Sequence, residues 1–338
     1  MQTPDLLLVK DLGEQGLLER LKNFCPKEIV GDDAAVIKTS PDKSLVVTTD
    51  MLIDGVHFSD RTTSPEDAGW RAAAANLSDL AAMGAKPMAI TIGLGIKGDI
   101  AVSWVERLYQ GMVECLDKYQ TVIIGGDVVR SPVNTLSITA FGEVNPKQVI
   151  LRSTAKPGDA VVITGFHGNS RGGLELLLNP EIGKNLSEGD RALLIQAHQR
   201  PQPRLDVLSL LREIVNREDQ ITITGMDSSD GLADAIVQIC TMSGVGAKIN
   251  VNQIPIASAL HQLLASETQA LEWVLYGGED FELVLCLPMA ESQILVEKLG
   301  AGAAIIGTIT NSKEVWLTDK NSKKPDQRLT LSRGFQHF

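Results

Sequence analysis

Short β-branched runs alternate with helical stretches along the whole chain, and this alternation narrows the fold more than any other feature. Ser44–Thr49 is a β-branched run ending beside an acid. Pro65–Met83 is Ala-rich, opens on proline and two acids, and closes at Gly84, which are the start and stop signals of a helix. Met88–Gly93 reads as a strand, Val102–Tyr119 as a helix, Thr121–Ile124 as a buried strand and Asn134–Phe141 as a half-buried one. A polar stretch, Arg152–Asp159, then breaks the pattern with Pro157-Gly158. Beyond it the style resumes. Strand Ala160–Thr164 precedes Gly-rich 165–173, with helices around 172–178, 188–198 and 204–215. Strand Ile221–Thr224, helix Leu232–Ser243, strand Gly246–Val251 and helix Ala257–Ser266 follow. Strand Phe281–Leu287, helix Ala290–Leu299 and strand Ala303–Thr308 complete the series. A chain of 338 residues is long for one core. Two α/β domains are expected, over 1–152 and 153–338.

Composition bounds the function. Hydrophobic residues make up 43% of the chain, enough for well-filled globular domains. A net charge of −11 argues against nucleic acid as partner, since its phosphates would be repelled. Small anionic substrates stay open, because a bound metal reverses the local sign. Cys25, Cys115, Cys240 and Cys286 are far apart, with no Cys-x-x-Cys pair, and read as reduced core thiols. The first residues lack the basic start of a signal peptide, and no apolar run approaches a membrane span. A soluble cytoplasmic protein without a membrane partner is expected.

Six acidic segments, most beside glycine, carry the chemistry. They are Gly31-Asp32-Asp33, Thr48-Thr49-Asp50 with Asp54–Phe58, Asn76–Leu80, Gly125-Gly126-Asp127, Asp227–Gly231 and Gly277–Asp280. Asp32 and Asp33 are adjacent at a strand entry and point to opposite sides, so one of the two faces a metal. Thr48, Thr49 and Asp50 offer two hydroxyls and a carboxylate at a strand end, with His57 close behind. Asn76 and Asp79 are three apart on a helix and share a face. Asp127 follows two glycines at the end of a buried strand, where open sheets bind ligands. Ser229 and Asp230 stand where they could cap a helix, and with Asp227 they also suit a metal–phosphate unit. So many carboxylates in one cleft would repel one another unless cations lay between them. Oxygen donors of this kind suit Mg²⁺. The residues alone point to a metal-dependent nucleotide enzyme.

Two other motifs weigh less. Gly93-Leu94-Gly95-Ile96-Lys97-Gly98 has the spacing of a dinucleotide loop, yet no opening strand of a βαβ unit precedes it, and Asp99 stands where pyrophosphate would approach. No Gly-x-x-x-x-Gly-Lys-Ser/Thr string occurs, so phosphates are not cradled in the P-loop manner.

Taken together, the six segments resemble the thiamine-monophosphate kinases, within the superfamily of aminoimidazole ribonucleotide synthetase and selenophosphate synthetase. Asn76–Ala85 and His198-Gln199-Arg200-Pro201-Gln202-Pro203-Arg204 carry the likeness, which runs from Gly31 to Phe338. One departure is Ser228, where relatives commonly have an apolar residue. The resemblance implies two α/β domains, with first domains pairing in a homodimer through a shared β-barrel. It implies transfer of a phosphoryl group from ATP to thiamine monophosphate, in line and without a phosphoenzyme. Asp33, Thr48, Thr49, Asp50, Asp79, Asp127, Asp227 and Asp230 would bind several Mg²⁺ ions, with Asp127, Asp50 and Asp230 central to catalysis. Gly126, Asp127, Arg152 and Ser229 would contact ATP, and His57, Glu279 and Phe335 the thiamine phosphate. The rivals are a selenophosphate synthetase-like enzyme, which would need a reactive cysteine in an N-terminal glycine-rich loop, and an NAD-dependent dehydrogenase resting on Gly93–Gly98 alone. Cys25 stands beside Pro26 after an amphipathic helix, not in such a loop.

Overall fold

A computed structural model describes residues 7–26, 37–215, 221–264, 266–319 and 326–331. The chain divides into two compact units, Met1–Leu80 with Ala85–Pro146, and Ala81–Gly84 with Lys147–Phe338.

The first unit is built on four strands: β1 (Ser44–Ile53), β2 (Lys86–Ile96), β3 (Val122–Arg130) and β4 (Thr135–Val144), in the order β1-β4-β2-β3. Among the described residues only β2 and β3 run parallel. A parallel neighbour needs a crossover, and helix α3 (Val102–Lys118) supplies it. Strict alternation along β4 buries Leu136, Ile138, Ala140 and Val144 against the helices and turns Ser137, Thr139 and Phe141 the other way. Helix α2 (Pro65–Ala82) adds the buried Leu77 and Leu80 to this core, and α3 adds Val105, Leu108 and Met112 at helical spacing. Helix α1 (Val9–Leu21) packs on α3. The far face of the sheet leaves Leu45, Val47, Met51 and Val129 exposed.

The second unit holds a seven-stranded sheet: β5 (Ala160–Ile163), β6 (Thr224–Asp227), β7 (Gly246–Asn250), β8 (Leu283–Leu287), β9 (Ala304–Thr310), β10 (Val315–Thr318) and β11 (Gln327–Arg328). Its order is β11-β10-β7-β9-β5-β8-β6, antiparallel except for β7 with β10. The central strands are unbroken apolar runs because both faces are covered. Val284 and Cys286 enter a core shared with α4 (Asn169–Leu178), α7 (Leu232–Ser243), α8 (Ser258–Leu263) and α9 (Glu267–Tyr276). Leu283, Leu285 and Leu287 enter a second core on the opposite face, with α6 (Val207–Val215) and α10 (Met289–Leu299). Helix α5 (Glu188–Gln199) packs on α4. Each such side chain contributes about 1.5–3 kcal/mol when removed from water.

Several elements differ from the sequence expectation. The strand at 44–49 continues to Ile53 and the one at 121–124 continues to Arg130, so neither Asp50 nor Asp127 stands at a strand end. The run 257–266 ends at Leu263, and α9, β10 and β11 are additional. Among the described residues no helix is long and apolar enough to cross a membrane.

Candidate active site

In the first unit, β1 and α2 bring four of the marked residues together. Alternation along β1 turns Val47, Thr49 and Met51 outward and Thr48 and Asp50 toward the helix side. Asn76 is fully buried there. Its Nδ2–H donates to the Ala72 carbonyl at 3.0 Å, and its Oδ1 accepts the Asp50 backbone N–H at 3.1 Å. One helical turn on, Asp79 Oδ2 accepts a short hydrogen bond from the Thr48 hydroxyl. Thr48, Asp50 and Asp79 therefore form a patch of oxygen donors at the sheet edge. Thr49 is set apart. Its hydroxyl is 2.9 Å from that of Thr139 on the outer face, so only its backbone carbonyl can reach toward the patch. His57 lies in the turn after β1, where its Nδ1 accepts the Ile53 N–H at 3.1 Å.

Asp127 is elsewhere. The ladder sets it in line with Gly93, Ser137 and Met51, across the full width of the sheet from β1. Three strand spacings amount to about 14 Å. Val128 is buried while Asp127 and Val129 are exposed, so Asp127 also points to the outer face, away from Asp79. Gly126 serves the sheet here. A Cβ at this position would stand 2.1 Å from the Ile92 carbonyl oxygen, and only glycine permits the approach. Gly93 and Gly95 likewise lie within β2, and they form no nucleotide-binding turn.

In the second unit the acidic segments meet at the ends of β6 and β8. Asp227 closes β6 and is buried, and Ser229 Oγ–H donates to its Oδ1 at 3.3 Å. Asp230 is exposed before the start of α7. The Glu279 N–H donates to the Ser229 carbonyl at 2.7 Å. Gly278, at φ 67°, makes this approach possible, since a Cβ there would lie 2.8 Å from the Ser229 oxygen. Arg152 is exposed, and its Nη1–H donates to Gln238 on α7 at 2.9 Å. Asp33 and Phe335 lie outside the described residues.

Three further groups complete this region, and of them only Asp280 falls in a marked segment, Gly277–Asp280. His167 is fully buried, with Nδ1 3.2 Å from the Gly165 carbonyl and Nε2 3.0 Å from Ser228 Oγ. Burial pushes its pKa down to about 4, so the imidazole is neutral at pH 7. Asp280 accepts the N–H groups of Gly168 and Ser170, and burial raises its pKa to about 7 against those two bonds. Glu282 takes the Arg204 guanidinium and the Thr164 hydroxyl. Its pKa is raised by burial, with Arg204 opposing. For His167 the one signal was the unusual Ser228, its hydrogen-bond partner, and for Glu282 there was none.

Hydroxyls and carboxylates at Thr48, Asp50 and Asp79, and again at Asp227 and Ser229, are the donors that Mg²⁺ prefers. Among the described residues no three His, Cys, Asp or Glu side chains converge closely enough to enclose an ion by themselves.

Residues 31–144 match the AIR synthase related protein N-terminal domain, and residues 156–320 match its C-terminal domain. A thiamine-monophosphate kinase of Synechococcus elongatus is 48% identical over 330 residues, 98% of each chain. The chain belongs to the thiamine-monophosphate kinase family. Solved structures agree with this assignment. The thiamine-monophosphate kinase of Stenotrophomonas maltophilia K279a has a TM-score of 0.76 at 31% identity, covering 92% of this chain and 96% of that one. AaThiL complexed with AMPPCP and TMP has a TM-score of 0.72 at 30% identity, covering 97% and 99%. Both match the two-domain mixed α/β architecture.

Proposed function

We propose that this protein transfers the terminal phosphoryl group of ATP to the phosphate of thiamine monophosphate, giving thiamine diphosphate and ADP. The observation that carries the reading is full-length likeness to a kinase structure that holds an ATP analogue together with TMP. A P–O bond forms to an oxygen of the thiamine phosphate as the bond from the γ-phosphorus to the β–γ bridging oxygen breaks. The attacking oxygen is already largely ionised near neutral pH, so no strong general base is required. What the protein must supply is alignment and charge compensation.

Thr48, Asp50 and Asp79 of the first unit and Asp227 and Asp230 of the second would hold Mg²⁺, together with the Thr49 carbonyl, Asp127 and Asp33. Charge neutralisation between two facing phosphates is what bound Mg²⁺ supplies. Gly126, Asp127, Arg152 and Ser229 would hold the nucleotide, and His57, Glu279 and Phe335 the thiamine phosphate. Transfer is in line, with no phosphoenzyme.

The working form is a cytoplasmic homodimer paired through the first unit. Two features support this. The outer sheet face exposes Leu45, Val47, Met51 and Val129, and among the described residues strands β1 and β3 are edges. Asp127 lies on the same face, so the pairing of two copies is what brings its carboxylate to a nucleotide. An ATP-consumption assay tests the function: turnover is expected with thiamine monophosphate and Mg²⁺ together and not with either alone. Equal ATP loss without thiamine monophosphate would contradict it.

A further inference from the structure

Three loops of the second unit are tied to one another in pairs. The first, 164–168, precedes α4. The second, 228–231, carries Ser229 and Asp230. The third, 277–282, carries Glu279. His167 Nε2 lies 3.0 Å from Ser228 Oγ and ties the first to the second. The Ser228 N–H donates to the Glu282 carbonyl at 2.9 Å, and the Glu279 N–H donates to the Ser229 carbonyl at 2.7 Å, tying the second to the third. Asp280 completes the triangle. Its Oδ2 accepts the Gly168 N–H at 2.7 Å and its Oδ1 accepts the Ser170 N–H at 2.9 Å.

The third loop needs an anchor because its backbone is unfavourable. Gly278, Glu279 and Phe281 have φ of 67°, 57° and 52°. Glycine adopts that region readily, whereas Glu and Phe do so only where the surroundings hold them. Hydrogen bonds donated by two N–H groups at the start of a helix of 10 residues to the two Asp280 oxygens supply such a hold. Both oxygens of Asp280 are engaged in it, so any effect on a ligand passes through its neighbour.

We propose that Asp280 is the positioning residue for Glu279, holding loop 277–281 on the start of α4 so that Glu279 stays against Ser229 and meets the thiamine phosphate. This rests on the substrate role given to Glu279 above and adds what keeps that residue in place. A residue acting only as a helix cap would change overall stability and both substrates alike.

The test uses the full chain with Asp280→Asn and Asp280→Ala. Asparagine keeps one acceptor but turns an NH₂ group toward the other donor, and alanine removes both. Two readouts are taken, hydrogen exchange of the Glu279 amide and steady-state constants for each substrate. Exchange at Glu279 is expected to rise about tenfold or more in the asparagine variant, and further in the alanine variant, while the β8 amides stay protected. KM for thiamine monophosphate should rise by about tenfold, with affinity for a non-hydrolysable ATP analogue within about twofold. If the alanine variant does not fold, the asparagine variant carries the test. Unchanged exchange at Glu279, or parallel loss for both substrates, would overturn the positioning role. Lost protection with an unchanged KM for thiamine monophosphate would overturn the proposal through the substrate role it borrows, and would remove Glu279 from the substrate site.

Discussion

The Asn76 side chain accepts the backbone N–H of Asp50 at 3.1 Å while donating to the Ala72 carbonyl one turn back on its own helix. Among the described residues β1 is an edge of its sheet, and the N–H groups on its outer side have no ladder partner there. Asn76 satisfies one of them and fixes β1 against α2 at the point where Thr48 meets Asp79. Replacing Asn76 by Ala leaves a polar group unpaired. The expected cost is about 1–3 kcal/mol of stability, read by urea denaturation, together with reduced turnover. Wild-type stability in this variant would show that water takes over the bond.

Asp79 tests the metal assignment. With Asp79→Asn, folding should persist and kcat should fall by about 10²-fold or more, the loss typical when charge stabilisation of a reacting phosphate is removed. Thermal shift gives a second readout. In the wild type, Mg²⁺ with a non-hydrolysable ATP analogue should raise Tm beyond the sum of the two alone, because Mg²⁺ binds best with phosphates. Independent effects of ion and nucleotide would sink a shared site.

His167 sets a pH dependence. Its pKa in the folded chain is about 4, below the ordinary value near 6.5 of an unfolded chain. Between those values the unfolded state binds the extra proton, so the contribution is complete above pH 6.5 and is lost as pH falls toward 4. The full difference is on the order of 3 kcal/mol. Asp280 and Glu282, both raised, act in the opposite sense, but they are common to the wild type and His167→Asn. The stability difference between these two proteins should therefore narrow as pH drops from 6.5 to 4. A difference independent of pH would show that burial does not lower the imidazole pKa.

Val47 tests the pairing face. It is 52% exposed on the outer side of β1. Val47→Glu should leave the fold intact, shift the mass measured by light scattering to that of a monomer, and abolish most turnover. A fully active monomer would remove Asp127 from the proposed nucleotide site.

Sequence reading located α2 and α7 closely because proline, acids and a closing glycine mark α2, and a glycine on either side bounds α7. It shortened β3 because Gly125-Gly126 looks like a stop. In the sheet, that second glycine is required by the Ile92 carbonyl of the neighbouring strand. Helix α9 was not expected, although Ser266 caps it by accepting the Gln269 N–H. Asp50 and Asp79 were legible as candidate ligands from residue type and spacing. Their meeting through Thr48 and Asn76 depends on which way β1 turns each side chain. The ties of His167 to Ser228 and of Asp280 to Gly168 join segments 61 and 112 residues apart, and no local pattern announces them.

The central claim is phosphoryl transfer between two bound phosphates, and ³¹P NMR of the reaction mixture tests it most directly. With ATP, thiamine monophosphate and Mg²⁺, the resonances of thiamine diphosphate should grow in step with those of ADP, without inorganic phosphate. Inorganic phosphate in place of thiamine diphosphate would mean that water, not the thiamine phosphate, receives the phosphoryl group, and would contradict the account.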